Sequence, residues 1–291
     1  MRLIIDCHYV CYRALHSMGQ LSFNEKKVAV IFGFIKAILK LSRDFKTNNF
    51  IFCWDSRQSY RELIYPEYKN NRHKDLTSEE WADLNIAKQQ FEELRTDVLP
   101  YMGFENIFHQ TGYEADDLIA WVVARFPDDT IIVSADNDLF QLLLSHRFCP
   151  VKIWNFKILN SEERFSKDWY GIKPIDWIKV KAIAGCNSDN IAGVTGVGET
   201  SAAKYIAGVL KGKKKEAIDN SKDLIQFNYQ LVGLPYLGKK QINIPEIKQD
   251  SISAEKFKLV FGQYGFKSLL YGDEVKRWSD SFFQGYNKTE G

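Results

Sequence analysis

The stretch Gly112-Tyr-Glu-Ala-Asp-Asp-Leu-Ile-Ala-Trp-Val-Val-Ala-Arg-Phe126, with Thr130-Ile-Ile-Val133 and Ser134-Ala-Asp-Asn-Asp138 behind it, decides the fold. A turn-forming glycine, three acids within one helical turn and a following apolar run predict a helix. The β-branched run between polar turns predicts a strand after it. Glu114, Asp116 and Asp117 crowd the first turn of that helix, and Glu114 and Asp117 share a face. Acids at a helix start also complement the positive end of its dipole, which by itself accounts for one or two of them. Asp136 and Asp138, two apart, can point the same way from extended backbone, and an Asx turn could account for one of them.

Outward from this stretch, a strand ending in an acid recurs. Arg2 to Ile5 runs into Asp6, and Asn49 to Trp54 runs into Asp55. In open α/β sheets the ligand crevice lies at the carboxyl ends of the strands. A lone acid there is costly unless a cation neutralises it. Converging carboxylate oxygens suit a hard divalent ion such as Mg²⁺, so a carboxylate-lined metal site is expected. Val28 to Leu41 reads as a buried helix, Phe104 to Phe108 as a short strand, Leu139 to Leu144 as the start of a helix and Val151 to Trp154 as an edge strand. Strands alternating with helices predict an α/β fold with a largely parallel sheet covered on both faces.

With 291 residues, 45% hydrophobic and 26% charged, the chain can bury a large core as one big domain or two small ones. Its net charge of +2 hides an uneven distribution: acids gather in the first half, lysines at Lys211, Lys213, Lys214 and Lys215. That asymmetry suits a polyanion beside an acidic metal site, although a solvated lysine face is an equal reading of the run alone. The 5 cysteines (Cys7, Cys11, Cys53, Cys149, Cys186) are odd in number and lack zinc spacing, pointing to a reducing, intracellular compartment. No signal segment and no membrane-length apolar run is present, so a cytoplasmic protein without membrane contact is expected.

From Arg57 to Arg72, cations interleave with tyrosines (Tyr60-Arg61, then Tyr65-Pro-Glu-Tyr-Lys-Asn-Asn-Arg72), a composition suited to phosphate contact and base stacking. Thr77-Ser-Glu-Glu80 is a capping box. Trp81, Leu84, Ala87, Phe91, Leu94 and Val98 follow at helical spacing until Pro100 is expected to close the helix. Beyond about residue 165 the strand signal fades. Pro174 to Ala184 and Glu199 to Leu210 read as two helices joined through Ile191-Ala-Gly-Val-Thr-Gly-Val-Gly198. Such a loop lets backbone N–H groups approach phosphate without reading sequence.

Asp6 with Tyr12-Arg13, Trp54-Asp55, Tyr68-Lys-Asn-Asn-Arg72, Gly112 to Asp117, Ser134 to Asp138 and Ser188-Asp-Asn190 together resemble the 5′-nuclease family. That family includes phage flap endonucleases, phage 5′-exonuclease/ribonuclease H enzymes and the 5′-nuclease domain of bacterial DNA polymerase I. The similarity covers roughly residues 1–210 and extends toward Phe266 to Leu270. It implies a PIN-like core over 1–160 with a helical arch at about 57–100. A helical, helix-hairpin-helix-type DNA-binding subdomain over 161–278 follows, with the hairpin at about 185–200, and then a loose tail over 279–291.

By position, the resemblance implies that Asp6, Asp55, Glu114, Asp116, Asp117, Asp136, Asp138 and Asp189 surround one or two Mg²⁺ ions, with Mn²⁺ as a substitute. Asp117 and Asp136, with Lys69 and Arg72 stabilising charge on the scissile phosphate, are the implied catalytic residues. Arg13, Tyr68, Lys69, Arg72, Gly193, Gly196, Gly198, Lys204, Lys213 and Lys214 are the implied DNA contacts, with K⁺ held at the hairpin. Two departures stand out: Cys186 replaces a carboxylate the family commonly carries, which weakens a second metal position, and Cys7 replaces a glycine. The expected activity is a metal-dependent 5′→3′ nuclease on flap, nicked or gapped DNA and on RNA–DNA hybrids, monomeric, working beside replication proteins. Lacking a polymerase segment, it resembles the stand-alone phage type. Two alternatives stay open: a DNA-binding protein of the same fold with catalysis lost, and a PIN-type ribonuclease.

Overall fold

A computed structural model describes residues 1–18, 21–72, 76–236, 238, 242–243 and 245–284. The chain divides into two compact units, Met1–Trp54 with Leu76–Phe108 and Pro245–Gly291, and Asp55–Asp75 with His109–Ile244. This division does not follow the expected boundary at residue 160. The C-terminal segment belongs with the N-terminal strands, and the expected arch at 57–100 is shared between the units, with 73–75 outside the described residues.

In the first unit, the strands Arg2–Asp6 and Phe50–Trp54 are buried along their whole length and pair in parallel, Leu3 against Phe50 through Asp6 against Cys53. Continuous burial is what a parallel sheet with both faces covered demands, and it explains why these strands read as unbroken apolar runs. The expected strand at Phe104 to Phe108 forms later, at Ile107–His109, and Asn106 O accepts from Phe52 N at 2.9 Å. The buried helix forms at Ala29–Phe45. Thr77 and Glu80 make the predicted capping box at the head of Ser78–Glu93. Pro100 does not close that helix. A π-turn at Leu94–Val98 widens the coil, and Pro100 sits in the next turn, Leu99–Met102. The wider turn relieves the clash a proline ring otherwise makes with the preceding turn.

Residues 279–284, expected to open a loose tail over 279–291, are structured. Asp273–Ser279 is helical, a π-turn continues through Gln284, and 285–291 lie outside the described residues. Phe282 is fully buried, its ring 5.8 Å from Phe50 and 5.2 Å from Phe257. Aromatic rings at such separations add about 0.5–1.5 kcal/mol per pair beyond the area they bury, so this end of the chain is part of the core.

In the second unit, Thr130–Val133 pairs in parallel with Val151–Trp154, which pairs antiparallel with Leu159–Asn160. Val151–Trp154 is therefore flanked on both sides rather than an edge strand. The expected helix at Leu139 is a 3-10 turn, Asn137–Leu142. The acidic helix spans Ala115–Arg125. Pro174–Asp176 is a 3-10 turn leading into the helix Trp177–Ala184, and Glu199–Ile206 is the second helix, ending before the expected Leu210.

Candidate active site

Seven of the eight expected carboxylates fall in the second unit. Asp6 and Arg13 fall in the first, where Asp6 is buried at the end of its strand and accepts from Tyr9 N at 3.0 Å.

Asp55 opens the second unit and accepts from Ala115 N at 2.7 Å, so its carboxylate caps the positive end of the Ala115–Arg125 helix. Asp116 stands half-buried in the first turn of that helix. Asp117, expected as a metal ligand and catalytic residue, is corrected by its surroundings. It is 0% exposed, and its oxygens accept from Arg61 Nη1 at 2.7 Å, Arg61 Nη2 at 2.8 Å, Glu114 N at 3.1 Å and Tyr236 N at 2.7 Å. Four donors fill the acceptor directions of one carboxylate, leaving none for an ion. Arg61 also donates to Glu114 Oε2 at 3.2 Å and Leu231 O at 2.7 Å. Burial opposes the Arg61 charge, but Asp117 reverses the balance and the guanidinium is held well above its ordinary pKa. Sequence reasoning missed this role, since an arginine within an Arg/Tyr/Lys-rich run carries no sign of which acid it meets.

Tyr68 is also reassigned. Expected as a DNA contact, it is 5% exposed and packs with Ala182, Ile191, Leu231 and Val232. Its hydroxyl donates to Glu114 Oε2 at 2.7 Å. A ring buried in this way positions Glu114 instead of stacking on a base.

Lys69 and Arg72 do face acids. Lys69 Nζ pairs with Glu114 Oε1 and lies 3.9 Å from Asp189, while Arg72 Nη2 donates to Asp189 Oδ1 at 2.6 Å. Burial would lower the Lys69 pKa, but Glu114 and Asp189 more than offset it and hold the ammonium charged. The backbone here is specified tightly. Lys69 has φ +56°, a left-handed conformation uncommon for a side-chain-bearing residue, and its N–H donates to Asp189 O at 3.0 Å. Asn190 Nδ2 donates to Glu67 O at 2.9 Å, and Tyr65 Oη donates to Asn190 O at 2.9 Å. The turn carrying the two cations is thus stitched to the loop carrying Asp189.

Asp136 and Asp138 follow the Thr130–Val133 strand, and Asp136 accepts from Asp138 N at 2.8 Å. Asp138 Oδ1 is buried and ion-paired with Lys181 Nζ at 2.9 Å, and the same ammonium stands 3.0 Å from Glu199. Burial, then Asp136, push Asp138 up to about 7 despite this ammonium. Lys181 was missed too, although a lysine flanked by Val180, Ala182 and Ile183 on a buried helix signals a buried acid, since lysine is rarely buried unpaired.

Cys186 ends the short strand Gly185–Cys186, antiparallel to Ile191–Ala192. Burial, then Asp189 and Asp138, push its thiol up to about 11. Among the described residues, Asp138, Cys186 and Asp189 present ligand atoms within 4.8 Å of one another. Two carboxylates and a thiol this close together could hold a divalent cation, with Lys181 against Asp138 and Arg72 against Asp189 supplying positive charge in its place.

The loop between the two helices is built for close backbone approach. A Cβ on Gly193 would stand 2.0 Å from Ala184 O, and Gly196 has φ +76°. Gly198 caps the Glu199–Ile206 helix. Lys204 Nζ stands 5.2 Å from the Tyr170 ring centre, Lys214 donates to Ser201 Oγ at 3.2 Å, and Lys213 opens the next helix, Lys213–Asp219. Among the described residues, no helix is long and apolar enough to cross a membrane.

Comparison with known proteins identifies relatives of this chain. The family profile for the 5′-3′ exonuclease N-terminal resolvase-like domain matches residues 1–171. A 5′-3′ exonuclease of Bacillus subtilis is 31% identical over 229 residues, covering 77% of this chain and 70% of that protein. DNA polymerase I of Mycobacterium bovis is 29% identical over 230 residues, covering 75% of this chain but 24% of that protein, so the chain spans about a quarter of the length of such relatives. In structure, the bacteriophage T5 flap endonuclease, solved in a pseudo-enzyme–product complex with DNA and metal ions, superposes with a TM-score of 0.65 at 22% identity, over 95% of this chain and 98% of that one. At that identity the likeness establishes the α/β fold with its largely parallel sheet. The profile match and the Bacillus relative go further: this chain belongs to the 5′-3′ exonuclease family.

Proposed function

We propose that this chain is a metal-dependent 5′→3′ exonuclease and structure-specific flap endonuclease. It hydrolyses phosphodiester bonds in branched or duplex DNA and removes RNA from RNA–DNA hybrids. The observation that carries the reading is one face of the second unit where Lys69 and Arg72 lie against Glu114 and Asp189, with Asp138 presenting a carboxylate oxygen within 4.8 Å of Asp189.

Asp55, Glu114, Asp116, Asp136, Asp138 and Asp189 would hold Mg²⁺, one ion or two. Bound there, such an ion activates water and neutralises charge on the phosphate. Lys69 and Arg72 supply preorganised positive charge to the scissile phosphate, where water-excluded donors are worth most. Glu114 and Asp189 hold those cations in place before substrate arrives. Arg61 and Tyr68 keep Glu114 oriented from behind. The Gly193–Gly198 loop offers backbone to phosphate, Lys204, Lys213 and Lys214 neutralise the DNA strand, and K⁺ would sit at the loop.

The test is a labelled 5′-flap DNA incubated with and without Mg²⁺, with Asp136→Ala alongside. Mg²⁺-dependent products that vanish in the variant are expected. Tight binding without products from flap, nicked duplex or hybrid would instead identify a DNA-binding protein that has lost catalysis.

A further inference from the structure

The loop over 193–198 and the acids of the site are joined by one helix, Lys222–Val232, which lies beyond the residues 1–171 matched by the family profile. Two buried amide side chains fasten it. Asn228, 2% exposed, donates from Nδ2 to Ala182 O at 2.9 Å and to Ala192 O at 2.8 Å. Ala182 lies in the last turn of the helix Trp177–Ala184, where carbonyls have no partner within their own helix. The neighbouring Ile183 O accepts from Val194 N at 2.8 Å, and Ala192 leads directly into Gly193. Both amide protons of Asn228 therefore hold the entrance of the loop.

The end of the same helix is held from the acid site. Gln141, 8% exposed, donates from Nε2 to Asp138 O at 2.8 Å and to Val232 O at 3.2 Å, and its Oε1 accepts from Leu234 N at 3.0 Å. Arg61, paired with Asp117 and Glu114, donates from Nε to Leu231 O at 2.7 Å. The carbonyls that a helix C-terminus leaves open are thus taken by side chains that also grip the backbone of Asp138 and the carboxylate of Glu114.

We propose that this helix is a strut setting the distance between the loop and the acids, with Asn228 and Gln141 as its positioning residues, and that it thereby determines the nucleotide at which a strand is cut. The inference rests on the nuclease reading and deepens it. A duplex gripped through its phosphates carries no sequence mark for the cut, so the position must come from a fixed length in the protein. Phosphates of one strand recur about every 3.4 Å along the duplex, so a loop free to shift that far presents the next bond. Smaller shifts act on rate, where a misplacement of about 1 Å can lower it by ~10²-fold. Without Asn228, two buried carbonyls lose their donor and the loop loses its tie to the strut.

The experiment follows cleavage of an end-labelled 5′-flap DNA with Mg²⁺ at single-nucleotide resolution, for the wild-type chain, Asn228→Ala, Asn228→Ser and Gln141→Leu. The wild type should cut at one principal position. Asn228→Ala should raise KM about tenfold and add products displaced by one nucleotide. Asn228→Ser, which keeps one donor, should lie between, and Gln141→Leu should add the same displaced products from the other end of the strut. A role confined to folding would lower the yield alone; unchanged KM and product lengths in folded variants would overturn the proposal. A second measurement needs no variant. In EDTA, duplex DNA bound to the wild-type chain should slow amide hydrogen exchange at least about tenfold in the helix Lys222–Val232 as well as in the loop, and unchanged exchange in the helix also overturns it. A wild-type chain that binds duplex and cuts nothing sinks the nuclease reading, while its exchange pattern still decides the strut. A wild type that cuts, beside variants that cut at the same position with the same KM, sinks the strut and leaves the nuclease.

Discussion

The second unit holds two groups of acids, one buried and one partly exposed, that look alike as sequence and behave as opposites. Around Arg61, the carboxylates of Glu114 and Asp117 meet donors on nearly every side, and Asp117 is sealed from solvent. Around Lys181, a single ammonium serves Asp138 and Glu199 together, with a thiol and another carboxylate nearby. A buried charge satisfied by the protein is architecture. One left short of positive charge is a place for something to bind. Lys69 bridges the two groups through Glu114 and Asp189, so the rigid end holds the end that does chemistry.

Breaking the rigid end should have the largest effect on folding. Arg61→Leu leaves Asp117 buried without its cation, while Glu114 keeps Lys69, and loss of one partner of a buried pair costs about 3–5 kcal/mol. Urea unfolding should show that loss; a change within experimental scatter would mean that water replaces the guanidinium freely. Breaking the bridge should act on rate instead. Lys69→Ala is expected to lower flap cleavage by about 10²–10³-fold with an unchanged unfolding midpoint, the range seen when one preorganised donor to a transition state is removed.

The peripheral cations sharpen the contrast further. Lys213→Ala with Lys214→Ala should weaken DNA binding and lower its salt slope by about 1–2, near 0.9 for each phosphate no longer neutralised. An unchanged slope would return these lysines to the role of solvated surface.

The smallest effect is expected at Asp250 in the first unit, which accepts from Glu105 N at 2.8 Å and Asn106 Nδ2 at 3.1 Å. Burial, against these hydrogen bonds, pushes it up to about 6. A carboxyl raised on folding contributes stability that is complete below its unfolded value and lost as pH rises through the folded one. Between pH ~4 and ~6 the wild-type chain should therefore lose about 1 kcal/mol relative to Asp250→Asn, allowing for solvent screening. Parallel pH–stability curves for the two proteins would show that Asp250 does not titrate in that window.

The parts of this architecture that were legible in the sequence depend on local pattern. The strands ending at Asp6 and Asp55 and the Thr77 capping box announce themselves by period, length and end residues, which neighbours cannot hide. Pro100 misled because a π-turn, set by packing, absorbed the clash that ordinarily ends a helix. The C-terminal segment misled because Phe282 gains its meaning from Phe50 and Phe257, far away in sequence. Within the site, acids could be gathered by spacing, but which acid meets which base is a tertiary fact. Hence Asp117 and Tyr68 read as functional residues and are buried support, while Arg61 read as part of a phosphate-contacting run and Lys181 passed unremarked.

The division of labour between the two acid groups is tested most directly by one assay: Mg²⁺-dependent cleavage of a labelled 5′-flap DNA by the wild-type chain, Asp189→Asn and Asp117→Asn, each held well below its own unfolding temperature. The wild-type chain should cut, Asp189→Asn should lose about 10²-fold or more at an unchanged unfolding midpoint, and Asp117→Asn should melt earlier yet cut within about tenfold of wild type. An Asp117→Asn protein that folds normally and does not cut, beside an Asp189→Asn protein that cuts freely, would contradict the account.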